Sequence, residues 1–266
     1  LNDSKLGIGT DLYWTTEEFF DYDKESTGGK IKFAYPLGEY TRLYWNYRLE
    51  KYTIDNIASD ANEDIKDMAG ENWASAIYVA ATRDTTNRRL NPSRGTINTL
   101  SAENAGGFIG GDDNYIKYFY DFSFYHPILK KPIFHWHVRL GYVMPNSDEP
   151  IPSFERFYIG GMNSVRGYPG REIAPKYDNG DYKGGDKEFF TNYELLYPLN
   201  KEIGLMGLVF FDAGNAWDED EFKFELYRSV GAGIRWYSPF GPLRLEYGYG
   251  LDKLYGEKYS KLEFSV

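Results

Sequence analysis

The sequence predicts an all-β chain, an antiparallel transmembrane β-barrel of about twelve strands over residues 1–266, on three observations. Apolar and polar residues alternate with period two along the whole length, the mark of strands with one greasy face. The connections between them alternate short and long, as in barrels with tight turns on one membrane side and long loops on the other. Aromatic residues make up 18% of a chain whose mean hydropathy is only −0.58. Large amphipathic rings in a polar sequence suit girdles at two membrane interfaces.

Taken in order, the strands are expected at 5–17, 28–37, 41–54, 72–83, 95–105, 115–127, 133–144, 187–198, 204–217, 229–238, 243–252 and 260–266. In the third, Leu43, Trp45, Tyr47 and Leu49 share one face, opposite Arg42, Tyr44, Asn46, Arg48 and Glu50. In the sixth, Ile116, Tyr118, Tyr120, Phe122 and Phe124 oppose Lys117, Phe119, Asp121 and Ser123. In the seventh, Phe134, Trp136, Val138, Leu140 and Tyr142 oppose His135, His137, Arg139 and Gly141; in the eleventh, Leu243, Leu245, Tyr247 and Tyr249 oppose Arg244, Glu246 and Gly248. Most of these runs have the roughly 10-residue length that a tilted membrane strand needs. Short turns are expected at 38–40, 129–132, 200–202 and 241–242, with a longer connection on the same side at 84–95. Long polar loops are expected at 21–27, 55–71, 106–114, 145–186, 218–228 and 253–259. A soluble sandwich or propeller is the alternative; Trp45, Trp136 and Tyr247 would then be core residues.

Composition removes several function classes. There is no cysteine, hence no disulfide framework and no thiolate metal site. The net charge of −10 argues against nucleic-acid binding through a basic surface. The longest stretch free of charged residues is 72–82, far short of the roughly 20 residues of a spanning helix. The chain opens Leu1-Asn2-Asp3-Ser4, with neither a basic start nor an apolar core, and reads as a mature portion of a longer protein.

The loop at 145–186 is the longest, and loops beyond about 15 residues in an ordered fold are usually functional or disordered. Its centre, Phe157-Tyr158-Ile159-Gly160-Gly161-Met162-Asn163-Ser164-Val165-Arg166-Gly167-Tyr168, sets one arginine among apolar, aromatic and glycine residues. Such a loop could fold back into a barrel lumen, where the arginine would need carboxylate partners. Alternation puts Asn192 with Glu194 on one face of the next strand, and Phe210 with Asp212 on one face of the strand after. A bidentate grip of Arg166 by Glu194 and Asp212 is one reading. An exposed loop arginine and two unrelated lumen charges is the other.

Gly160-Gly161…Ser164-Val165-Arg166-Gly167-Tyr168 resembles the signature loop of the BamA superfamily of outer-membrane assembly and secretion barrels. Phe210-Phe211-Asp212-Ala213-Gly214-Asn215-Ala216-Trp217, the hairpin from Ser229 through Ser238-Pro239-Phe240-Gly241-Pro242 to Leu245, and the turn Arg83-Asp84…Asn91-Pro92-Ser93-Arg94-Gly95 resemble further family segments. The resemblance runs the length of the chain and is strongest in its last 110 or so residues. It implies a loop arginine, Arg166, paired inside the lumen with Glu194 and Asp212, beside the loop residues Gly160, Gly161, Val165, Gly167 and Tyr168. The family barrel has sixteen strands behind POTRA domains. The chain is therefore expected to begin at the fifth strand and to lack those domains, and with them the first-strand half of the family's lateral gate. It ends Phe264-Ser265-Val266 where the family has a terminal aromatic.

The function so implied is folding and insertion of β-barrel proteins into the cell outer membrane, without a cofactor. The expected partners are unfolded outer-membrane proteins, assembly lipoproteins, periplasmic chaperones and outer-membrane lipid, and no nucleic acid. The rivals are a two-partner-secretion or TamA-like pore of the same superfamily, and a passive porin, which would not need the Val165-Arg166-Gly167-Tyr168 element. His135 and His137 share a strand face but lack an identifiable third metal ligand. Asp178-Asn179-Gly180-Asp181 with Gly184-Gly185-Asp186 has calcium-like composition without EF-hand spacing. No nucleophile elbow and no phosphate-binding glycine loop is present, so no catalysis is expected.

Overall fold

The structure is a computed structural model and describes residues 5–128, 131–218, 224–238 and 241–266. The first two residues of the expected turn at 129–132, part of the loop at 218–228 and Pro239-Phe240 of the last hairpins lie outside them. Twelve strands form one antiparallel sheet in chain order: β1 (Gly7–Glu18), β2 (Asp23–Pro36), β3 (Thr41–Asp55), β4 (Gly70–Asp84), β5 (Gly95–Ala105), β6 (Tyr115–Pro127), β7 (Ile133–Pro145), β8 (Lys187–Asn200), β9 (Leu205–Trp217), β10 (Tyr227–Ser238), β11 (Gly241–Gly250) and β12 (Ser260–Ser265). Among the described residues no ladder joins β1 to β12.

The greasy faces point outward. Leu49 and Tyr247 are 44% and 48% exposed, while Glu50 and Glu246, one residue away, are buried. This inverts a soluble sandwich, in which the same apolar faces would form the core. It is the arrangement of a wall facing lipid outside and a polar lumen inside. Among the described residues no helix is long and apolar enough to cross a membrane; the strands cross instead.

One loop departs from expectation. Residues 23–27 are strand, paired with β1 and β3 (Lys24↔Glu17, Lys24↔Ile54), and the β1–β2 connection is only residues 19–22. The polar run 21–27 resembled a loop because it is polar on both faces, with Lys24 and Ser26 serving the lumen and Glu25 exposed outside. Lys24 Nζ and Ser26 Oγ lie 3.0 and 3.2 Å from Glu50 Oε1. Gly28 sits mid-strand because a Cβ there would lie 2.8 Å from the Leu49 carbonyl oxygen. The loop at 55–71 also contains a short helix, α1 (Glu63–Lys66), capped by Asn62 Oδ1 accepting from the Asp64 N–H at 3.0 Å.

The interior is filled chiefly by the connection between β7 and β8. Ile151 and Phe157 pack with Tyr115, Val143 and Ala216, while Ile159, Val165, Tyr168 and Ile173 pack with Phe190 and Leu254. The lumen is thus partly a packed core, built where a long loop folds under the wall.

Candidate functional site

The β7–β8 connection folds back on itself inside the sheet. Phe157 pairs with Gly185, Ile159 with Ile173 and Lys176 with Tyr182, making two antiparallel arms. The Gly161 N–H donates to the Val165 carbonyl at 3.1 Å, and Ser164 Oγ accepts from the Gly160 N–H at 2.7 Å. Gly160 and Gly167 have φ of +110° and +87°, a region that a side-chain-bearing residue enters only with strain. This tight turn leaves the Arg166 side chain at its tip.

Arg166 is 2% exposed and touches three carboxylates. Its Nε and Nη2 donate to Asp212 Oδ2 and Oδ1, both at 2.7 Å, the parallel fork that guanidinium favours. Nη1 donates to Glu194 Oε1 at 2.7 Å and to Glu246 Oε2 at 2.6 Å. The Arg166 N–H also reaches Asp212 Oδ2, at 3.1 Å. The guanidinium lies 3.5 Å above the Phe210 ring centroid, a cation–π contact worth about 2 kcal/mol when desolvated.

Two more arginines enclose the cluster. Arg235 donates to Glu194 Oε2 at 2.9 Å and to Glu246 Oε1 at 2.7 Å. Arg244 donates to Glu246 Oε1 at 3.0 Å and to the Met162 carbonyl at 3.2 Å. Three cations thus face three carboxylates, and no carboxylate is left without a positive partner. That balance is what lets so much charge be buried.

The wall is shaped to take the loop. Gly231 faces Phe210 across the ladder, and a Cβ on it would lie 2.2 Å from the ring, so the ring lies flat under Arg166. A Cβ on Gly248 would lie 2.5 Å from the Gly167 nitrogen, so loop and β11 touch backbone to backbone. Tyr168, fully buried, donates to the Arg228 and Asp252 carbonyls at 2.9 and 3.0 Å, fixing the ascending arm. Val165 is also fully buried.

The structure therefore brings Arg166, Glu194 and Asp212 into direct contact, with Asn192 donating to Asp212 Oδ1 at 2.8 Å. Sequence reasoning missed Glu246, Arg235 and Arg244. Alternation already put Arg244 and Glu246 on one face of β11, but only the curvature of the sheet brings that face to the loop. His135 and His137 have protein partners: Nδ1 of His135 lies 2.8 Å from Glu194 Oε2, and Nδ1 of His137 lies 3.1 Å from Asn192 Oδ1. Among the described residues no group of three or more His, Asp or Glu is placed to hold a metal. The acidic run at 178–186 ties loops together instead. Asn179 donates to the Asp60 carbonyl at 3.1 Å, Asp181 accepts from the Asn62 N–H at 3.1 Å, and Asp186 pairs with Arg156 at 2.7 Å.

The family profile described as "Omp85 superfamily domain" matches residues 2–266. The "Outer membrane protein assembly factor BamA" of Nitratidesulfovibrio vulgaris is 42% identical over 272 residues, covering 100% of this chain and 34% of that protein. The protein of the same name from Neisseria meningitidis serogroup B is 27% identical over 316 residues, covering 98% of this chain and 39% of its own length. The crystal structure of BamA from Haemophilus ducreyi lacking POTRA domains 1–3 superposes with a TM-score of 0.84 at 19% identity, covering 98% of this chain and 58% of that one, a likeness of fold. The chain spans about a third of the length of the curated relatives it matches.

Proposed function

The chain belongs to the Omp85 superfamily, and from that premise we propose that the protein is an assembly factor that folds and inserts other β-barrel proteins into the outer membrane. It is an outer-membrane barrel segment, and residues 1–266 are read as one barrel domain. The observation that carries the functional reading is the 42% identity to an assembly factor across the whole chain, including the loop that seats Arg166.

The proposed mechanism uses main-chain chemistry. The loop, held by Arg166 on Glu194 and Asp212, stiffens the wall from inside. β12 pairs only with β11 among the described residues, and its free N–H and C=O groups template an incoming strand. Pairing strand by strand satisfies each backbone group as it leaves water, which the bilayer interior demands. No catalytic chemistry is proposed. Unfolded outer-membrane proteins are the proposed substrates, with assembly lipoproteins and periplasmic chaperones as partners and outer-membrane lipid as the solvent. A passive porin is disfavoured because the loop and its ion pairs occupy the lumen that solute would have to cross.

The test is complementation. The protein in its complete form is expressed in cells depleted of their own assembly factor, and folded outer-membrane barrels are counted by heat modifiability. Restored barrel levels support the reading. Increased solute leakage without restored barrels overturns it in favour of a pore.

A further inference from the structure

The loop meets the lumen wall through buried ion pairs in two places, with opposite signs. On the β8–β11 side, Glu194 and Glu246 meet Arg235, Arg244 and His135 of the wall, and Arg166 of the loop supplies the cation that pairs with Asp212. On the β2–β6 side, Lys24 and Arg48 pair with Glu50 and Glu103 of the wall, while the ion pair of Lys117 among the described residues is to the loop. There the loop supplies an anion. Glu155, eleven residues before Arg166, places Oε2 3.0 Å from Lys117 Nζ on β6 and Oε1 3.8 Å from Arg48 Nη2 on β3. Asp113 also faces this side but is hydrogen-bonded to Tyr52, with no cation in ion-pair contact.

The residues around Glu155 make a built seat. It ends a 3₁₀ turn, Ser153–Glu155. Ser153 Oγ shares a 2.9 Å hydrogen bond with the Tyr22 hydroxyl. Phe154 lies edge-on to Tyr52, under Lys24 Nζ at 4.2 Å. Arg48 is itself held by Glu103 at 3.1 Å, so the cation that Glu155 meets cannot swing away without breaking a second pair.

We propose that Glu155 is a second anchor of the loop, a positioning residue that fixes its descending arm to β3 and β6. Arg166 fixes the tip to β8, β9 and β11, and the loop is a strut between two parts of the wall. The anion meets Lys117 and Arg48 and the cation meets Asp212, Glu194 and Glu246, so a reversed seating would set like charges together. This inference rests on the reading that a seated loop serves assembly.

The test is a charge swap in the protein in its complete form, with hydrogen exchange over 146–186 read beside substrate-barrel folding rates. Glu155→Lys sets a cation against Lys117 and Arg48 and should raise exchange in the descending arm, 151–159, by at least about tenfold. The tip around Arg166 should change less. Glu155→Lys combined with Lys117→Glu should return the arm toward wild-type protection, which a general folding defect would not. Glu155→Gln, isosteric and uncharged, gives a smaller change in the same direction should the reversal fail to fold. Unchanged arm protection in both single variants, or no rescue by the swap, overturns the anchor. Loosened and rescued arm protection with unaltered folding of substrate barrels supports the anchor and overturns instead the link between loop seating and assembly.

Discussion

Replacing Arg166 with alanine should release the loop, and the structure says which carboxylate suffers. Glu194 would keep Arg235 and His135, and Glu246 would keep Arg235 and Arg244. Asp212, fully buried, would keep only neutral donors, chiefly Asn192 at 2.8 Å. Removing one partner of a buried pair typically costs about 3–5 kcal/mol, because the remaining charge is stranded. Loss of the stacking on Phe210 adds to this. At about 1.4 kcal/mol per tenfold, the open population of the loop should rise roughly 100- to 4,000-fold. Limited proteolysis of 146–186 in detergent reads it directly, with heat modifiability as the check that the barrel persists. Asp212→Ala and the double variant complete a thermodynamic cycle, in which coupling of a kilocalorie or more is expected. Arg166→Lys should fall between, since one ammonium cannot fork onto Asp212 and also reach Glu194 and Glu246. Loop cleavage within about threefold of wild type for Arg166→Ala, or strict additivity in the cycle, would refute the reasoning.

Other outcomes follow from the same geometry. Gly248→Ala removes no charge, yet its Cβ would meet the Gly167 nitrogen at 2.5 Å; it should cost about 1–3 kcal/mol of loop seating by proteolysis, whereas Gly9→Ala, which meets only the Lys32 Cε at 3.6 Å, should be silent. Burial pushes the Asp113 carboxyl up to about 6 against the Tyr52 hydrogen bond, and its Oδ2 has no partner. A carboxyl raised on folding favours the folded form when protonated. Its contribution is therefore full below the unfolded value near 4 and lost as pH rises through about 6. Asp113→Asn should flatten that dependence and stabilise the β5–β6 loop at pH 7 by roughly 2–3 kcal/mol, measured by hydrogen exchange over 106–114; a steeper fall with pH in the variant would contradict it.

Much of the fold was legible because a strand with lipid on one side and a polar lumen on the other writes period two into its residues. The expected 95–105 and 115–127 match β5 and β6 to the residue. β2 was cut short because a run such as Lys24, Glu25 and Ser26, polar on both faces, reads as a loop, and only the buried Glu50 bonded to Lys24 and Ser26 shows why it is strand. The inward faces of Glu194 and Asp212 could be read from alternation, and their meeting with Arg166 from resemblance. Glu246 could not be paired with Arg166, 80 residues away, without the curvature that brings β11 across the lumen. Glu155 lay beyond reach for another reason. A loop has no period, so nothing in 145–160 marks which charge turns inward.

The account centres on a seated loop that supports insertion of other barrels. Its most direct test reconstitutes the complete protein in liposomes and follows folding of an urea-unfolded outer-membrane barrel, comparing wild type with Arg166→Ala. The account predicts that the variant, still heat-modifiable, accelerates folding at least about tenfold less than wild type, in step with its loop exposure. Equal acceleration by a variant whose loop is demonstrably released would contradict it.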